Sequence, residues 1–66
     1  MKLLDRFFAA PINDIKWKIY DKHTRRKLSD DYGAERDDAP YDNMRVWSIG
    51  VKTDKNGTKY YRVSVY

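Results

Sequence analysis

This 66-residue chain has no cysteine, one histidine, one glutamate, three glycines and two prolines. Without cysteine, neither a disulfide nor a thiolate metal site can supplement the core, and the lack is compatible with the reducing cytoplasm expected as its address. No apolar run is longer than a few residues, so nothing reads as a membrane span. The first residues, Met1-Lys2-Leu3-Leu4-Asp5-Arg6-Phe7-Phe8-Ala9-Ala10-Pro11, faintly resemble a signal peptide, but Asp5-Arg6 interrupts the apolar region and that reading is rejected.

The scarcity of His, Cys and Glu also limits the chemistry. Catalysis needs titratable groups that converge in a shielded cleft, and a domain this small buries only about 60% of its unfolded surface. His23 sits among Lys22, Arg25 and Arg26 in a turn-like stretch and reads as an exposed turn residue. The pairs Asp30-Asp31 and Asp37-Asp38 lack the alternating ligands, fixed glycine and closing glutamate of a calcium loop. They read as a solvated acidic loop over about 29–43. No nucleophile motif or glycine-rich phosphate loop occurs. An enzyme, a metal and a cofactor are not expected.

Charge is present in quantity and unevenly placed. Between Ser29 and Asn43 lie Asp30, Asp31, Glu35, Asp37, Asp38 and Asp42 against Arg36 alone. That net of −5 leaves +9 on the rest of a chain whose total is +4. A basic body attracts polyanions, and the acidic segment can screen it.

Order is clearest at the C-terminal end. Asp54-Lys55-Asn56-Gly57-Thr58 reads as a type I turn closed by a glycine bulge, with Gly57 in the left-handed position. Counting back from that turn predicts the pairs Val51–Tyr61, Ile49–Val63 and Trp47–Val65, all on one face. Ile15 to Tyr20 alternates strictly and reads as a half-buried strand. Leu3, Leu4, Phe7 and Phe8 recur at helical spacing ahead of Pro11, which stops the helix near Ala10. Residues 21–43 are less legible. A turn at Asp21–Thr24 leads into a short fourth strand over Arg25–Leu28, with Leu28 opposite Trp17, and then the acidic loop.

The expected fold is a small α+β domain. A short N-terminal helix packs on a three- or four-stranded, mainly antiparallel sheet that ends in the C-terminal β-hairpin. The expected core is Leu3, Leu4, Phe7 and Phe8 from the helix, Ile15, Trp17 and Ile19 from the first strand, and Trp47, Ile49, Val51, Tyr61, Val63 and Val65 from the hairpin. The acidic segment Asp30–Asp42 is expected to be dispensable for folding, on condition that Tyr32 and Tyr41 pack on nothing.

The opposite sheet face then carries Lys16, Lys18, Tyr20, Lys52, Tyr60 and Arg62, with Gly50 leaving room beside Arg62. Cations suit phosphates, and tyrosine rings give bases a stacking platform. Lys, Arg and Tyr are also the ordinary occupants of a solvated sheet face. The basic run Lys22, Arg25, Arg26 and Lys27 adds a second phosphate contact from a loop next to that face, although basic stretches are common and the signal is weak alone. Met44, Val46 and Tyr66 fall by parity at one end of this wet face. Either the 21–43 segment folds back over them, or they form a protein contact such as a homodimer seam.

The expected function is a non-enzymatic binding module. Its binding residues are Lys16, Lys18, Tyr20, Arg25, Arg26, Lys52, Tyr60, Arg62 and Tyr66, and its partner is nucleic acid or a nucleic-acid-binding protein complex. The alternative is a protein-binding inhibitor or accessory protein of the phage or mobile-element type, acting through the tyrosine-rich face and the acidic loop.

Overall fold

The computed structural model describes residues 1–9, 15–32 and 40–66. Pro11 as a helix stop and the carboxylates Glu35, Asp37 and Asp38 lie outside them. A helix α1 (Leu3–Phe8) precedes four strands, β1 (Lys16–Asp21), β2 (Lys27–Ser29), β3 (Val46–Thr53) and β4 (Lys59–Val65). The sheet order is β2-β1-β4-β3. β1 runs antiparallel to β2 and parallel to β4, so the sheet is mixed rather than mainly antiparallel as expected.

The hairpin turn forms as its residues dictate. Gly57 N–H donates to the Asp54 carbonyl at 3.0 Å, and the Asp54 carboxylate accepts from Asn56 N–H and Thr58 N–H at 2.9 Å each. Gly57 has φ +84°, the left-handed region that favours glycine. Gly57→Val is expected to cost more than about 1 kcal/mol, because a β-branched side chain fits that φ badly. Chemical denaturation checks it, and an unchanged midpoint would remove the turn from its role in setting register.

From that turn the ladder runs as expected through Lys52–Tyr60, Val51–Tyr61, Gly50–Arg62, Ile49–Val63 and Ser48–Ser64. A bulge between Val46 and Ser48 then breaks it, and the partner of Val65 is Val46 instead of Trp47. One inserted residue inverts the parity of everything before it. Val46 and Met44 turn inward against the core, and Trp47 is left 57% exposed. The bulge therefore removes the parity conflict noted in the sequence. It makes the smaller Val46 and the flexible Met44 the core residues at this end and turns out the bulky indole.

The core comprises Leu3, Trp17, Ile19, Tyr32, Val63 and Val65, with Phe7, Leu28, Met44, Ile49 and Tyr61 among its partly buried neighbours. Phe7 meets Trp17 and Tyr32 edge-on, with ring centroids 5.1 and 5.2 Å apart. Leu3 and Phe7 are four residues apart on one helical stripe, and a helix under two turns long presents only that stripe to the sheet. Phe8 is thus 75% exposed, contrary to expectation. Val51, also expected inside, is 54% exposed because it lies on the edge strand β3, at the open end of a row in which Tyr61 separates it from the buried Trp17.

The helix lacks a capping side chain: Lys2 occupies the N-cap and makes no side-chain cap hydrogen bond. Backbone does that work instead. Leu3 N–H donates to the Met44 carbonyl at 2.7 Å and Leu4 N–H to that of Asp42 at 3.1 Å, which satisfies two of the orphan donors of the first turn. Val46 N–H donates to Met1, and Lys2 bridges Arg45, so the chain start covers the edge of β3 where that strand begins.

The acidic segment overturns two expectations. Ser29, not Leu28, enters the β1 register, opposite Ile19. Tyr32 N–H donates to the Trp17 carbonyl at 2.9 Å, its ring is 3% exposed, and its hydroxyl hydrogen-bonds the Asp42 carboxylate. Tyr41 also packs on the core. The condition for dispensability is not met, because Trp17 and Phe7 leave a site on the core that this ring fills.

Candidate functional site

The parallel β1–β4 pairing and the antiparallel β3–β4 pairing together set the outer face in rows. Lys16, Tyr60 and Lys52 form one row, Lys18, Arg62 and Gly50 the next, and Tyr20, Ser64 and Ser48 the third. Lys22 N–H continues β1 by donating to the Val65 carbonyl at 2.8 Å. Gly50 has open space where a Cβ would stand, as expected of a gap beside Arg62.

On this face each ring has a cation from a neighbouring element. The Lys18 ammonium lies 4.5 Å from the centroid of Tyr60, and the Arg62 guanidinium 4.0 Å from that of Tyr20. Lys22 lies 4.6 Å from Trp47 and 5.4 Å from Tyr66. Such contacts contribute roughly 0.5–1 kcal/mol each at exposed sites, and they hold rings and charges in fixed relation.

Asp30 enters from the end of β2 and gathers three lysines of the face. Lys27 Nζ donates to it at 2.9 Å, with Lys18 Nζ at 3.6 Å and Lys16 Nζ at 4.0 Å. The Lys27 hydrogen bond, reinforced by the nearby positive charges and opposed by slight burial, holds the Asp30 carboxyl below the usual carboxylate range. One acid of the segment thus screens the basic body directly at the β2 side of the sheet.

At the opposite end of the face lies an open-sided depression of about 360 Å³. Tyr20, Arg62, Ser64 and Trp47 line it from the sheet, and Asp21, Lys22 and Arg25 from the β1–β2 turn. Asp21 is engaged in shaping that turn, its carboxylate accepting from His23 N–H at 2.7 Å and Thr24 N–H at 3.2 Å.

The fold therefore brings Lys16, Lys18, Tyr20, Lys52, Tyr60 and Arg62 to one face, with Tyr66 beside Lys22 and Arg25 at the depression. Arg26 is separated from them, in a second hollow with Thr24, Leu28 and Tyr41. Trp47, expected in the core, is the addition that sequence reasoning left out of the site, and Lys22, read from the sequence as part of the basic run beside the face, joins it at the depression. The parity conflict at Val46 was the visible sign of the bulge that exposes Trp47. His23 is exposed at the turn, its backbone bonded to Asp21. Among the described residues no three His, Asp or Glu side chains gather as metal ligands, and no helix is long and apolar enough to cross a membrane. Comparison with protein-family models, curated proteins and solved structures finds no match to this chain.

Proposed function

We propose that this chain is a non-enzymatic module that binds single-stranded nucleic acid, free or within a nucleoprotein complex, across the outer face of its sheet. The interleaving of cations and rings carries the reading. Tyr20, Tyr60, Trp47 and Tyr66 alternate with Lys18, Arg62 and Lys22, each ring held by a charge. A strand laid across such a face meets cations for its phosphates and planar surfaces for its bases. A duplex keeps its bases stacked inside and cannot use the rings, so single strands fit better.

The test is fluorescence anisotropy of a labelled single-stranded oligonucleotide over a salt series. If four to six cations each meet a phosphate, log K against log salt should have a slope of about −3 to −4. Lys16→Glu combined with Arg62→Glu is expected to lower affinity more than about tenfold, since both sites meet reversed charge. Unaltered binding by the folded double variant would reduce the face to ordinary solvated sheet. Capture of a protein, with weak salt dependence and tyrosine hot spots, would favour the inhibitor or accessory-protein alternative instead.

A further inference from the structure

Three features meet at the depression, two of them departures from regular structure. The first is the β3 bulge, which turns Trp47 out of the core and leaves it 57% exposed at the rim. The second is Arg25, with φ +62°, the only non-glycine residue with positive φ among the described residues. A long side chain in the left-handed region costs about 1–2 kcal/mol relative to ordinary backbone, and such outliers cluster where a ligand is held. The third is the concentration of charge, with Lys22, Arg25 and Arg62 against one acid whose carboxylate already accepts two backbone N–H groups. Bulges recur where a side chain must be re-aimed at a site.

We infer that this depression is a subsite for one nucleotide of the bound strand, with its base against the Trp47 indole and its phosphate among Lys22, Arg25 and Arg62. The assignment rests on the nucleic-acid reading above and names the part of the face that grips a single unit. The volume of about 360 Å³ falls within the range of small-molecule sites. The Arg62 guanidinium carbon lies 4.0 Å from the Tyr20 ring centroid, which holds in place a planar fork of donors suited to phosphate oxygens. Lys22 contacts the indole and Tyr66, so one ammonium links the stacking surface to the anion site. Ser64 adds a hydroxyl for the sugar or a phosphate oxygen.

The experiment titrates the ¹⁵N-labelled protein with AMP, adenosine and inorganic phosphate in separate series. AMP should shift the resonances of Trp47, including its indole N–H, together with Lys22, Arg25 and Ser64. Adenosine and phosphate should each bind at least about fivefold more weakly. Trp47→Ala should weaken AMP binding about tenfold while leaving the melting temperature nearly unchanged, since the side chain is exposed. Arg25→Gly suits a positive φ, so the variant folds, and its affinity for AMP should fall toward that of adenosine. Phosphate binding as tightly as AMP would overturn the subsite in favour of a plain anion site. AMP shifts absent from Trp47 and Arg25 would also overturn it. If an oligonucleotide still bound Lys16, Lys52 and Tyr60 in that case, the face would survive without its subsite. If no oligonucleotide bound at all, both would fall.

Discussion

Tyr32→Ala should cost about 3–5 kcal/mol, the loss of a buried aromatic ring. A domain of this length has only about 3–10 kcal/mol of total stability, so this one change removes about a third of it or more. The effect is large because one residue joins three parts of the molecule. Its ring packs edge-on against Phe7 of α1, its N–H bonds the Trp17 carbonyl of β1, and its hydroxyl bonds Asp42. Asp42 in turn accepts Leu4 N–H through its carbonyl and so helps start the helix. Tyr32→Phe keeps the ring and gives up only the hydroxyl bond, at a cost of about 1.5–3 kcal/mol at most, since the acceptor is a carboxylate. Urea denaturation of both variants measures the difference. Replacing Asp30–Asp42 with a Gly/Ser linker should be at least as damaging as Tyr32→Ala. A shift of only a few degrees in melting temperature for either would exclude Tyr32 from the cooperative core.

Asp30→Asn should tighten binding to single-stranded nucleic acid several-fold and steepen its salt dependence. Each lysine released to meet a phosphate adds about 0.7 to the slope, and three lysines surround this carboxylate. Asn keeps the size of the side chain and an acceptor for Lys27 while removing the charge. Asp5→Asn is the control: it makes the same change in net charge at an exposed helix position, and its gain should be much smaller. Equal gains would mean that only net charge matters and that Asp30 screens nothing in particular. The pH dependence follows from a depressed carboxyl. The charge pairs are complete at neutral pH and are lost only as pH falls through Asp30's lowered value, below the ordinary carboxylate range. Because the side chain is about half exposed, stability should change little while affinity rises in acid. An NMR titration of Asp30 together with anisotropy at stepped pH separates the two.

Local chemistry carried much of this fold on its own. The Asp54–Thr58 turn depends on five adjacent residues, one carboxylate with two backbone N–H partners, and a glycine at positive φ. The hairpin register from Lys52–Tyr60 to Ser48–Ser64 follows from that turn by counting, and the alternation of Lys16, Trp17, Lys18 and Ile19 sorts β1 into an outer and an inner face. Hence six of the nine residues expected to bind fall on one face by strand period and hairpin register alone.

What the sequence determined by itself is the turn, the adjoining register and the period of each strand, because near neighbours along the chain decide them. Tertiary structure decided the parallel β1–β4 pairing, the bulge, the place of Tyr32 and the position of Asp30. Each depends on contacts with residues distant along the chain: whether Val46 and Met44 or Trp47 meets the core, and whether Tyr32 fills the ring site beside Phe7 and Trp17. Period-2 counting cannot foresee an inserted residue, since a bulge is adopted only when the packing gained elsewhere exceeds the hydrogen bonding it disrupts. The exposed tryptophan and the carboxylate among three lysines are products of those long-range choices.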